Sequence, residues 1–371
     1  MNLTIAAFVL GIVHFLTPIA YYTYLSRFCT ISTVEISDKD YKPRMTIVVP
    51  TYNEAPLVAG KLNDLINQHY PLNHIDLLLV DSASTDGTIE IATKWKHNNP
   101  NVGFHIVLEK ARRGKAAALG TALQYVSQEI VIFTDADSIW APDALEKSMP
   151  YFSDPEVCAV TGVKEPQSHS GEIETEYRDF YNRVRVWESN LHSTPVFNGE
   201  FAAFRKSILQ KLGGFPLGIG ADDSHMATLV ALDNGRAIAA PDVKVYEVVP
   251  EKLEQLKAWR VRRAKHLTQH FVRSMRRIGS APAGFRGILA MEAFLNLVNP
   301  WLLLLALAFL LTSVVLGSSA LWLFVVLALF VTLVLVGRTR RVFLAWTINQ
   351  LVLCYAMLAG VRSMELVWKN V

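Results

Sequence analysis

A long apolar tract opens the chain. Residues 3–25 read LTIAAFVLGIVHFLTPIAYYTYL, and the first charged residue is Arg27. At about 1.5 Å per residue, roughly 20 apolar residues cross the ~30 Å of hydrocarbon in a bilayer. The tract has no basic region before it and no small-residue cleavage site after it. We therefore predict a retained transmembrane helix over residues 1–27 rather than a signal peptide.

A second apolar region lies towards the C-terminal end. No charged residue falls between Glu292 and Arg338, which is too long a stretch for one membrane helix. The triplet Gly317-Ser318-Ser319 divides it, and another apolar run covers residues 342–361. We expect about three transmembrane helices over residues 287–371, and therefore four spans in the chain.

Polar residues interrupt the first of these C-terminal spans. The run LNLVNPWLLLL contains Asn296, Asn299 and Pro300. Polar groups at membrane depth usually face protein or a cavity. Two interpretations are open, a kink with local hydrogen bonds and a groove that admits a sugar or a lipid.

Between the apolar tracts, short β-branched runs alternate with helical stretches. The runs are MTIVVP, IDLLLV, FHIVL and EIVIF, and a stretch of helical periodicity follows each of the first three. Fully apolar runs joined by helices indicate a mostly parallel sheet that is covered on both faces. We predict an α/β, Rossmann-like domain over residues 44–247, a length that suits one domain.

Acidic side chains follow the predicted strands. Asp81 ends the second run, and Asp135 and Asp137 come just beyond the fourth. Ligands of open α/β sheets bind beyond the carboxyl ends of the strands. Two carboxylates on the same side of an extended segment repel each other unless a cation holds both. The pair therefore predicts a metal site at this edge.

A basic segment, Arg112-Arg113-Gly114-Lys115, opens a predicted helix whose N-terminus would favour an anion. Carboxylates, a metal and an anion-binding helix end thus converge on one edge. Each signal alone also has a structural explanation, since Asp81 and Asp86 could be turn or helix-capping residues.

The overall charge adds little about partners. The chain has 36 Lys and Arg against 33 Asp and Glu, a net charge of +3 that does not indicate nucleic acid. Basic flanks of membrane helices stay in the cytosol, and Arg27, Lys39, Lys42 and Arg44 follow the first span. We expect the middle domain to face the cytosol. There the three cysteines, which lack metal-ligand spacing, would stay reduced.

Residues 250–285 are predicted to form amphipathic helices at the membrane surface. Apolar residues such as Trp259 and Phe271 can form one stripe, with many Lys and Arg around it. Attraction to anionic headgroups explains most of these basic residues. For Arg262 and Arg263, contact with a diphosphate or a lipid phosphate is an equal alternative.

Six motifs in order resemble those of family 2 glycosyltransferases, the inverting GT-A group that includes cellulose, hyaluronan and ceramide-glucoside synthases. VVPTYNE resembles the first strand end of that family, VDSASTDGT its second, RRGKAAALGTAL its helix opening and TDADS its DxD motif. NGEFAAFRKSILQKLGGF resembles its acceptor-side segment, and GADDSHMATLVALDNGR resembles the segment with its base. The flanking apolar tracts match the membrane-integrated branch that makes polysaccharides and glycolipids.

The resemblance implies how a nucleotide-sugar donor would bind. Asp137, with Asp135 beside it, would hold Mg²⁺ or Mn²⁺ on the diphosphate, where the cation neutralises the leaving group. Asp81 would meet the base, although Ser82 replaces an aspartate that is common in the family. The residues expected to bind the donor are Pro50, Tyr52, Glu54, Asp81, Lys115, Asp135, Arg262 and Arg263.

The resemblance also implies a general base. An inverting transfer needs a base on the face of the sugar opposite the leaving group. The family usually has Glu-Asp where this chain has Asp222-Asp223, so the matched base is Asp223. The alternative is that Asp222 caps a helix and Asp223 is merely solvated. Asn198, Gly199 and Asp222 are expected on the acceptor side.

The expected function is that of a multi-pass membrane glycosyltransferase. It would move a sugar from a cytosolic nucleotide-sugar, with UDP-sugars favoured, to a lipid or lipid-linked acceptor. Processive members of the family carry Gln-x-x-Arg-Trp, whereas the stretch from Trp259 to Arg263 keeps only the arginine of that motif. Processive polysaccharide synthesis is therefore the alternative, and a noncatalytic nucleotide-sugar-binding membrane protein is a third interpretation.

Overall fold

The computed structural model describes residues 3–166, 172–247, 250, 252–316 and 337–360. The strands are β1 (Met45–Thr51), β2 (Ile75–Asp81), β3 (Gly103–Leu108), β4 (Ile130–Phe133), β5 (Ser138–Trp140), β6 (Val157–Pro166), β7 (Ala202–Arg205) and β8 (Arg236–Glu247). The helices are α1 (Leu3–Phe28), α2 (Val58–Ile66), α3 (Thr88–Asn98), α4 (Lys115–Leu123), α5 (Ala144–Ser148), α6 (Glu172–Leu191), α7 (Lys206–Lys211), α8 (Asp222–Leu232), α9 (Leu253–Met275), α10 (Ala283–Ala293), α11 (Asn299–Val315) and α12 (Gly337–Gly360). Three short 3₁₀ turns cover Leu72–His74, Met149–Ser153 and Ile278–Ser280.

The eight strands form one mixed sheet in the order β3-β2-β1-β4-β7-β6-β8-β5. Strands β1 to β4 run parallel to one another, and β6 runs parallel to β8. Strand β7 is antiparallel to both of its neighbours, and β5 is antiparallel to β8. The prediction of an α/β domain built on a mostly parallel sheet is confirmed.

Alternating residues of the parallel strands fill two cores, one on each face of the sheet. On β1, Ile47 and Val49 pack with α2 residues in one core, whereas Val48 packs with α4 residues in the other. On β2, Leu79 packs in the first of these cores and Val80 in the second. Because both faces are covered by helices, every residue along these strands can be apolar. The uninterrupted apolar runs in the sequence have this origin.

The register of the parallel strands aligns their carboxyl ends. Thr51 at the end of β1 pairs with Asp81 at the end of β2, and Val48 pairs with Phe133 at the end of β4. The polar residues that follow these three strands consequently emerge at one edge of the sheet. The segments that resemble nucleotide-binding motifs are thereby brought together.

Three described helical segments are long and apolar enough to cross a membrane: Leu3–Phe28, Ala283–Val315 and Phe343–Gly360. The second begins at residue 283, four residues before the boundary expected at 287. Another predicted span, near residues 320–336, lies outside the described residues.

A π-helical turn, Phe294–Val298, joins α10 to α11. It precedes Pro300, which lacks the amide proton that a regular helix would use. The Asn296 side chain donates to the carbonyl oxygen of Glu292 at 2.8 Å. Asn296 also lines a cavity, and whether that cavity admits a sugar or a lipid stays a prediction.

Helix α9 differs in one respect from the expected surface helix. Its apolar stripe packs against protein, with Phe271 fully buried and Leu267 and Met275 against the same core. The exposed positions include the basic residues Arg276 and Arg277 just after the helix. Headgroup contact therefore stays a proposal for these exposed residues.

Candidate active site

The loop after β4 presents the two aspartates that the sequence singled out. The hydroxyl of buried Thr134 donates to the Glu200 carbonyl at 2.8 Å, and the hydroxyl of buried Ser138 donates to the Asp135 carbonyl at 2.9 Å. These bonds fix both ends of the turn. Asp135 and Asp137 therefore project from a rigid support at the edge of the sheet.

Lys115 and Gly199 complete the centre of the site. The Lys115 ammonium donates to Asp135 Oδ1 at 2.5 Å. A methyl group in place of the Gly199 hydrogen would lie 3.0 Å from Lys115 Nζ, 3.1 Å from Asp223 Oδ2 and 3.3 Å from Asp135 Oδ2. Four segments that are distant in sequence meet around Gly199, where the absence of a side chain leaves space.

The electrostatics of Lys115 follow from its neighbours. Burial opposes a charge on this side chain, but Asp135, Asp222 and Asp223 more than offset that effect and hold its pKa above the ordinary value. Lys115 is consequently an ammonium at neutral pH. Its ammonium lies beside Asp135, where the family resemblance predicts that the donor diphosphate binds.

The carboxyl groups after β1 and β4 lie so close together that their full ionisation is disfavoured. Burial, Asp137, Asp135 and Asp86 raise the pKa of Glu54 to about 7. Surrounding protein and the carboxylates of Asp135 and Glu247 raise the pKa of Asp137, although its side chain opens onto solvent. A bound cation would relieve this repulsion.

The side chains at this edge supply only some of the oxygen ligands that a hard divalent cation requires. Within the described residues, no group of three or more His, Cys, Asp or Glu side chains is arranged to hold a metal ion. Asp135 and Asp137 nevertheless offer hard oxygen ligands of the kind that Mg²⁺ and Mn²⁺ prefer. They fit a cation that takes its other ligands from a diphosphate and water.

Helix α8 begins at Asp222, and Ala221 rather than Asp222 occupies its N-cap position. Asp222 is 4% exposed, and its Oδ2 has no hydrogen-bond partner among the residues that the structure describes. Burial first, and then Asp223 and Asp135, raise its pKa to about 7 against the opposing effect of Lys115. Asp223 is half-buried, and its Oδ1 accepts a 2.7 Å bond from the Ser224 amide. Its Oδ2 points towards Gly199, so Asp223 belongs to the site.

A small pocket of about 90 Å³ lies beside the acidic edge. The Arg112 guanidinium stacks on Tyr52, 3.6 Å from the ring centroid. Gly114, with φ of 92°, makes the turn into α4 that brings Lys115 to the pocket. The other predicted donor-binding residues on its wall are Pro50, Glu54 and Asp135.

Asp81 does not lie on the wall of this pocket. It is 2% exposed, and its carboxylate accepts hydrogen bonds from Thr51 Oγ1 at 3.0 Å and from the Ser84 amide at 2.8 Å. Ser82 lies on the wall instead, and its hydroxyl donates to Glu109 at 2.8 Å. Burial opposes ionisation of Glu109, but bonds from Thr121, Arg113 and Ser82 lower its pKa below the ordinary value.

A larger cavity of about 370 Å³ adjoins the small pocket and shares Lys115, Asp135 and Asp137 with it. Asp222, Asp223, Gly199, Arg262 and Arg263 lie on its wall. Its far end reaches the apolar helices, where Glu292, Asn296 and Asn349 line it.

Asn198, which was predicted on the acceptor side, is a structural support. It is 2% exposed, donates to the Gly162 carbonyl at 2.7 Å and accepts from Arg185 at 2.7 Å. These bonds fix the segment that carries Gly199. Its effect on the cavity is therefore indirect.

A buried ion network that the sequence analysis missed closes one wall of the cavity. Glu247 pairs with Arg263 at 2.6 Å, Arg178 at 3.0 Å and Lys164 at 3.4 Å. These cations outweigh burial and keep the pKa of Glu247 well below its usual range. Lys164 also pairs with Glu200 at 2.5 Å. The signal in the sequence was weak, since Glu200 and Arg263 lie within matched segments but nothing in the sequence pairs either of them with Lys164, Arg178 or Glu247.

Comparisons with known proteins place these features in context. The glycosyl transferase family 2 model matches residues 46–213, and the glycosyl transferase family group 2 model matches residues 130–359. A poly-β-1,6-N-acetyl-D-glucosamine synthase of Staphylococcus epidermidis is 27% identical over 226 residues, which are 60% of this chain and 54% of that protein. The chain thus spans about half the length of the curated relatives it matches.

Among solved structures, the mannosyltransferase PcManGT from Pyrobaculum calidifontis, in complex with GDP-Man and Mn²⁺, is 42% identical to this chain. The similarity covers 98% of this chain and 100% of that one, with a TM-score of 0.87. TarS 1–349 of S. aureus is 17% identical over 68% of this chain and 71% of its own, with a TM-score of 0.50, which shows similarity of fold alone.

Proposed function

Because this chain belongs to the glycosyl transferase family group 2, and is therefore a glycosyltransferase, we propose that it transfers a sugar from a nucleotide-sugar to a membrane-borne acceptor with inversion. One observation carries the proposal. The small pocket and the larger cavity meet at Asp135, Asp137 and Lys115. A donor in the first would present its sugar to an acceptor in the second.

The proposed donor is GDP-mannose. The support is the 42% identity over nearly the whole chain to a mannosyltransferase that was solved with GDP-Man. The UDP-sugars that the sequence analysis favoured are the alternative donors. A direct comparison of the two nucleotides decides between them.

The proposed metal is Mn²⁺ or Mg²⁺, held by Asp137 with Asp135 beside it. When bound, the cation stabilises negative charge on the departing nucleoside diphosphate. Lys115 adds a fixed positive charge at the same edge, with Asp135 orienting its ammonium. These residues orient the diphosphate towards the cavity.

The proposed base is Asp223. Its Oδ2 faces the space beside Gly199, where it can take the proton of an acceptor hydroxyl as that oxygen bonds to the anomeric carbon. The bond from sugar to phosphate breaks at the same time, and its electron pair leaves with the nucleotide. General-base catalysis of this kind contributes roughly 10²–10⁴-fold to a rate.

The proposed acceptor is a lipid or a lipid-linked sugar. The cavity extends from Asp223 to side chains of the apolar helices, Asn296 and Asn349 among them. We accordingly propose a multi-pass membrane protein, with membrane segments within residues 1–27 and 287–371 and the catalytic domain over 44–247. Residues 250–285 would lie at the cytosolic membrane surface, on the side indicated by the basic residues after α1.

Processive polysaccharide synthesis is the second candidate. The observation in its favour is that curated relatives such as the one from S. epidermidis are named as synthases of a polymer. The two candidates predict different products, because a single transfer gives one added sugar per acceptor and a processive enzyme gives a ladder. Gel separation of labelled products distinguishes them.

The Asp223→Asn variant tests the proposed mechanism. It should bind GDP-mannose with Mn²⁺ as tightly as the unaltered protein, within about threefold, whereas nucleotide release should fall about 10²–10⁴-fold. Calorimetry measures the first quantity and a coupled assay of released GDP the second. Unchanged turnover would refute the assignment of the base. Asp233→Asn, which alters an aspartate paired with Lys211 outside the site, serves as the control.

A further inference from the structure

The segment that leads into the proposed base is attached to helix α9. The carbonyl oxygen of Gly218 accepts hydrogen bonds from the Gln269 carboxamide nitrogen at 3.0 Å and from the Arg273 guanidinium at 2.8 Å. The amide nitrogen of Gly220 donates to the Gln269 carboxamide oxygen at 3.2 Å. Residues 218–220 are called the base loop below, because the proposed base follows three residues after its end.

Gln269 can hold the base loop in only one orientation of its carboxamide. A backbone carbonyl oxygen can only accept a hydrogen bond, and a backbone amide can only donate one. The nitrogen of the carboxamide must therefore face Gly218, and its oxygen must face Gly220. Because both ends of the carboxamide are used, this one side chain fixes two points of the base loop against α9.

The base loop has the shape that this attachment requires. Gly218 has a φ of 75°, in the left-handed region that residues with a side chain rarely adopt. Ile219 is 4% exposed, so its side chain is packed inside the protein. The loop is thus held by hydrogen bonds to α9 and by burial of an apolar side chain.

His266 of α9 makes a second and closer contact with the base loop. A methyl group in place of the Gly220 hydrogen would overlap Cδ2 and Cγ of the His266 ring and would lie 2.5 Å from its Nε2. Burial, Arg262 and Arg263 lower the pKa of His266 to about 4, so the ring is neutral at pH 7. The contact is therefore one of packing, and glycine allows it without displacement of the ring.

The base loop lies close enough to Asp223 to determine its position. Three residues span at most about 10–11 Å even when fully extended, and α8 begins at Asp222, directly before the proposed base. The first turn of α8 is also bonded to the segment before Gly199, since the Ser224 hydroxyl accepts from the Phe197 amide at 3.1 Å. Asp223 is therefore held between that segment and α9.

One helix contributes to both sides of the catalytic cavity. Gly220 and Asp223 line the cavity on the side of the base. Arg262 and His266, one helical turn apart on α9, line it as well. Gln269 follows His266 on the same helix and holds the base loop, so α9 fixes the distance between the base and its own cavity-lining residues.

We propose that Gln269 is a positioning residue for the transfer reaction, which acts through the base loop to hold Asp223 where its carboxylate can take the proton of the acceptor. The close packing of Gly220 on His266 supports the same placement. This inference rests on the proposed function, whose base it concerns. Gln269 is not among the residues that line the cavity in the described part of the chain, so its effect on the reaction passes through Asp223.

Removal of the carboxamide tests this inference in the full-length protein in membranes. Gln269→Met keeps an unbranched side chain but makes no hydrogen bonds to the base loop. The assay is the transfer of radiolabel from GDP-mannose to lipid with Mn²⁺. We expect the maximal rate per protein molecule to fall about tenfold or more, because misplacement of a reacting group by about 1 Å can cost on the order of 10²-fold. The KM for GDP-mannose should change less than about threefold, since the donor pocket is built from other elements.

Gln255→Met is the matched control, because it makes the same change in the first turn of α9. At about 1.5 Å per residue, Gln255 lies roughly 21 Å along the helix from Gln269. It should leave both the maximal rate and the KM unchanged.

The Asp223→Asn background separates positioning from a general loss of structure. If Gln269 acts through Asp223, the addition of Gln269→Met to Asp223→Asn should lower the residual rate by less than about twofold, because the group that it positions is already lost. A purely structural role of Gln269 would instead multiply the two losses.

Gly220→Ala is a second variant that displaces the base loop from the other contact. The added methyl group should lower the maximal rate about tenfold. His266→Ala in the same chain should restore part of that loss, because it removes the ring atoms that the methyl group overlaps. Gly60→Ala is the control, since a methyl group there would meet nothing within 4 Å. A loss that His266→Ala does not reduce would contradict the role given to this packing contact.

Three results would overturn the inference: an unchanged maximal rate in Gln269→Met, a loss that appears in the KM for GDP-mannose instead of the rate, or multiplied losses in the double variant. Each leaves the proposed function in place as long as the unaltered protein transfers label and Asp223→Asn does not. Equal transfer by Asp223→Asn and the unaltered protein would reject the proposed base, and the inference with it. Absence of transfer from every donor would reject the proposed function itself.

Discussion

Adjacent residues in the site have different environments and therefore different chemistry. The Asp222 carboxylate is buried with one oxygen unpartnered, which raises its pKa to about 7. Asp223 is half-buried, held by the Ser224 amide and open towards Gly199. Of the two, only Asp223 is accessible from the cavity in the way that the proposed base requires. One residue of displacement along the helix thus separates a shielded carboxylate from an accessible one.

The acidity of Glu54 should make cation binding depend on pH. With a pKa of about 7, Glu54 gains a proton as the pH falls from 8 to 6, and the site loses a negative charge beside Asp137. We expect the affinity for Mn²⁺, measured by calorimetry with GDP-mannose present, to fall as the pH falls through 7. Glu54→Gln should bind Mn²⁺ more weakly at pH 8, and its Mn²⁺ affinity should change less between pH 8 and pH 6.

Glu90→Gln is the matched control for that experiment, because Glu90 is an exposed acid on α3. It should retain the full pH dependence. An equal dependence in Glu54→Gln would show that another group is responsible.

Asp222 should also make folding stability depend on pH. Its pKa is raised from 3.8 to about 7 in the folded protein, so the folded state binds more protons than the unfolded state between these values. The associated stability is fully present below about pH 4 and is lost as the pH rises through 7. Asp222→Asn keeps the shape without the charge, and its Tm should decline less between pH 5 and 8.

Scanning calorimetry at a series of pH values measures this difference. Glu54 and Glu200 also have raised pKa values, so part of the decline should persist in the variant. A decline identical to that of the unaltered protein would contradict the account of Asp222.

At the scale of elements, the site depends on how α9 is attached to the sheet. Arg263 of α9 pairs with Glu247 at the end of β8, and its guanidinium stacks 4.5 Å from the centroid of the Trp259 ring. Lys164 of β6 pairs with both Glu247 and Glu200. The network ties the cavity wall to two strands, so that α9 is held against the catalytic domain.

Removal of Arg263 should therefore loosen this attachment. The Arg263 side chain is 39% exposed, and Glu247 retains Arg178 and Lys164, so Arg263→Ala should cost only about 1–2 kcal/mol, less than the loss of a fully buried pair. The expected fall in Tm is a few degrees, measured by thermal unfolding in detergent. Arg276→Ala, at an exposed position just after the same helix, should change Tm by less than a degree or two. Equal effects of the two variants would argue against the role of the network.

At the scale of the whole molecule, patterns that are local in sequence predicted much of the fold. The apolar runs predicted β1 to β4. Both faces of β1, β2 and β4 are buried, whereas the edge strand β3 is partly exposed. The helical stretches expected after the first three runs are α2, α3 and α4.

Features made by residues far apart in sequence were not predictable. Lys164 meets Glu200 and Glu247 across 36 and 83 positions, and no local pattern encodes such pairings. The expected contact of Asp81 with a base also depended on resemblance alone, and in the structure its side chain accepts hydrogen bonds from Thr51 at the end of β1 and from Ser84 in the following loop. The sequence did mark Asn299 as a polar residue within a predicted membrane span, but only the structure shows that its carboxamide has no hydrogen-bond partner among the described residues.

The most direct test of the central claim is the transfer of radiolabel from GDP-mannose into lipid by the protein in membranes. Labelled sugar should appear in the organic-extractable fraction with Mn²⁺ present, disappear with chelator and fall about 10²–10⁴-fold in Asp223→Asn. A parallel series with UDP-sugars tests the other donor class. Binding of these donors without label in lipid and without nucleotide release would contradict the account and favour a noncatalytic binding protein.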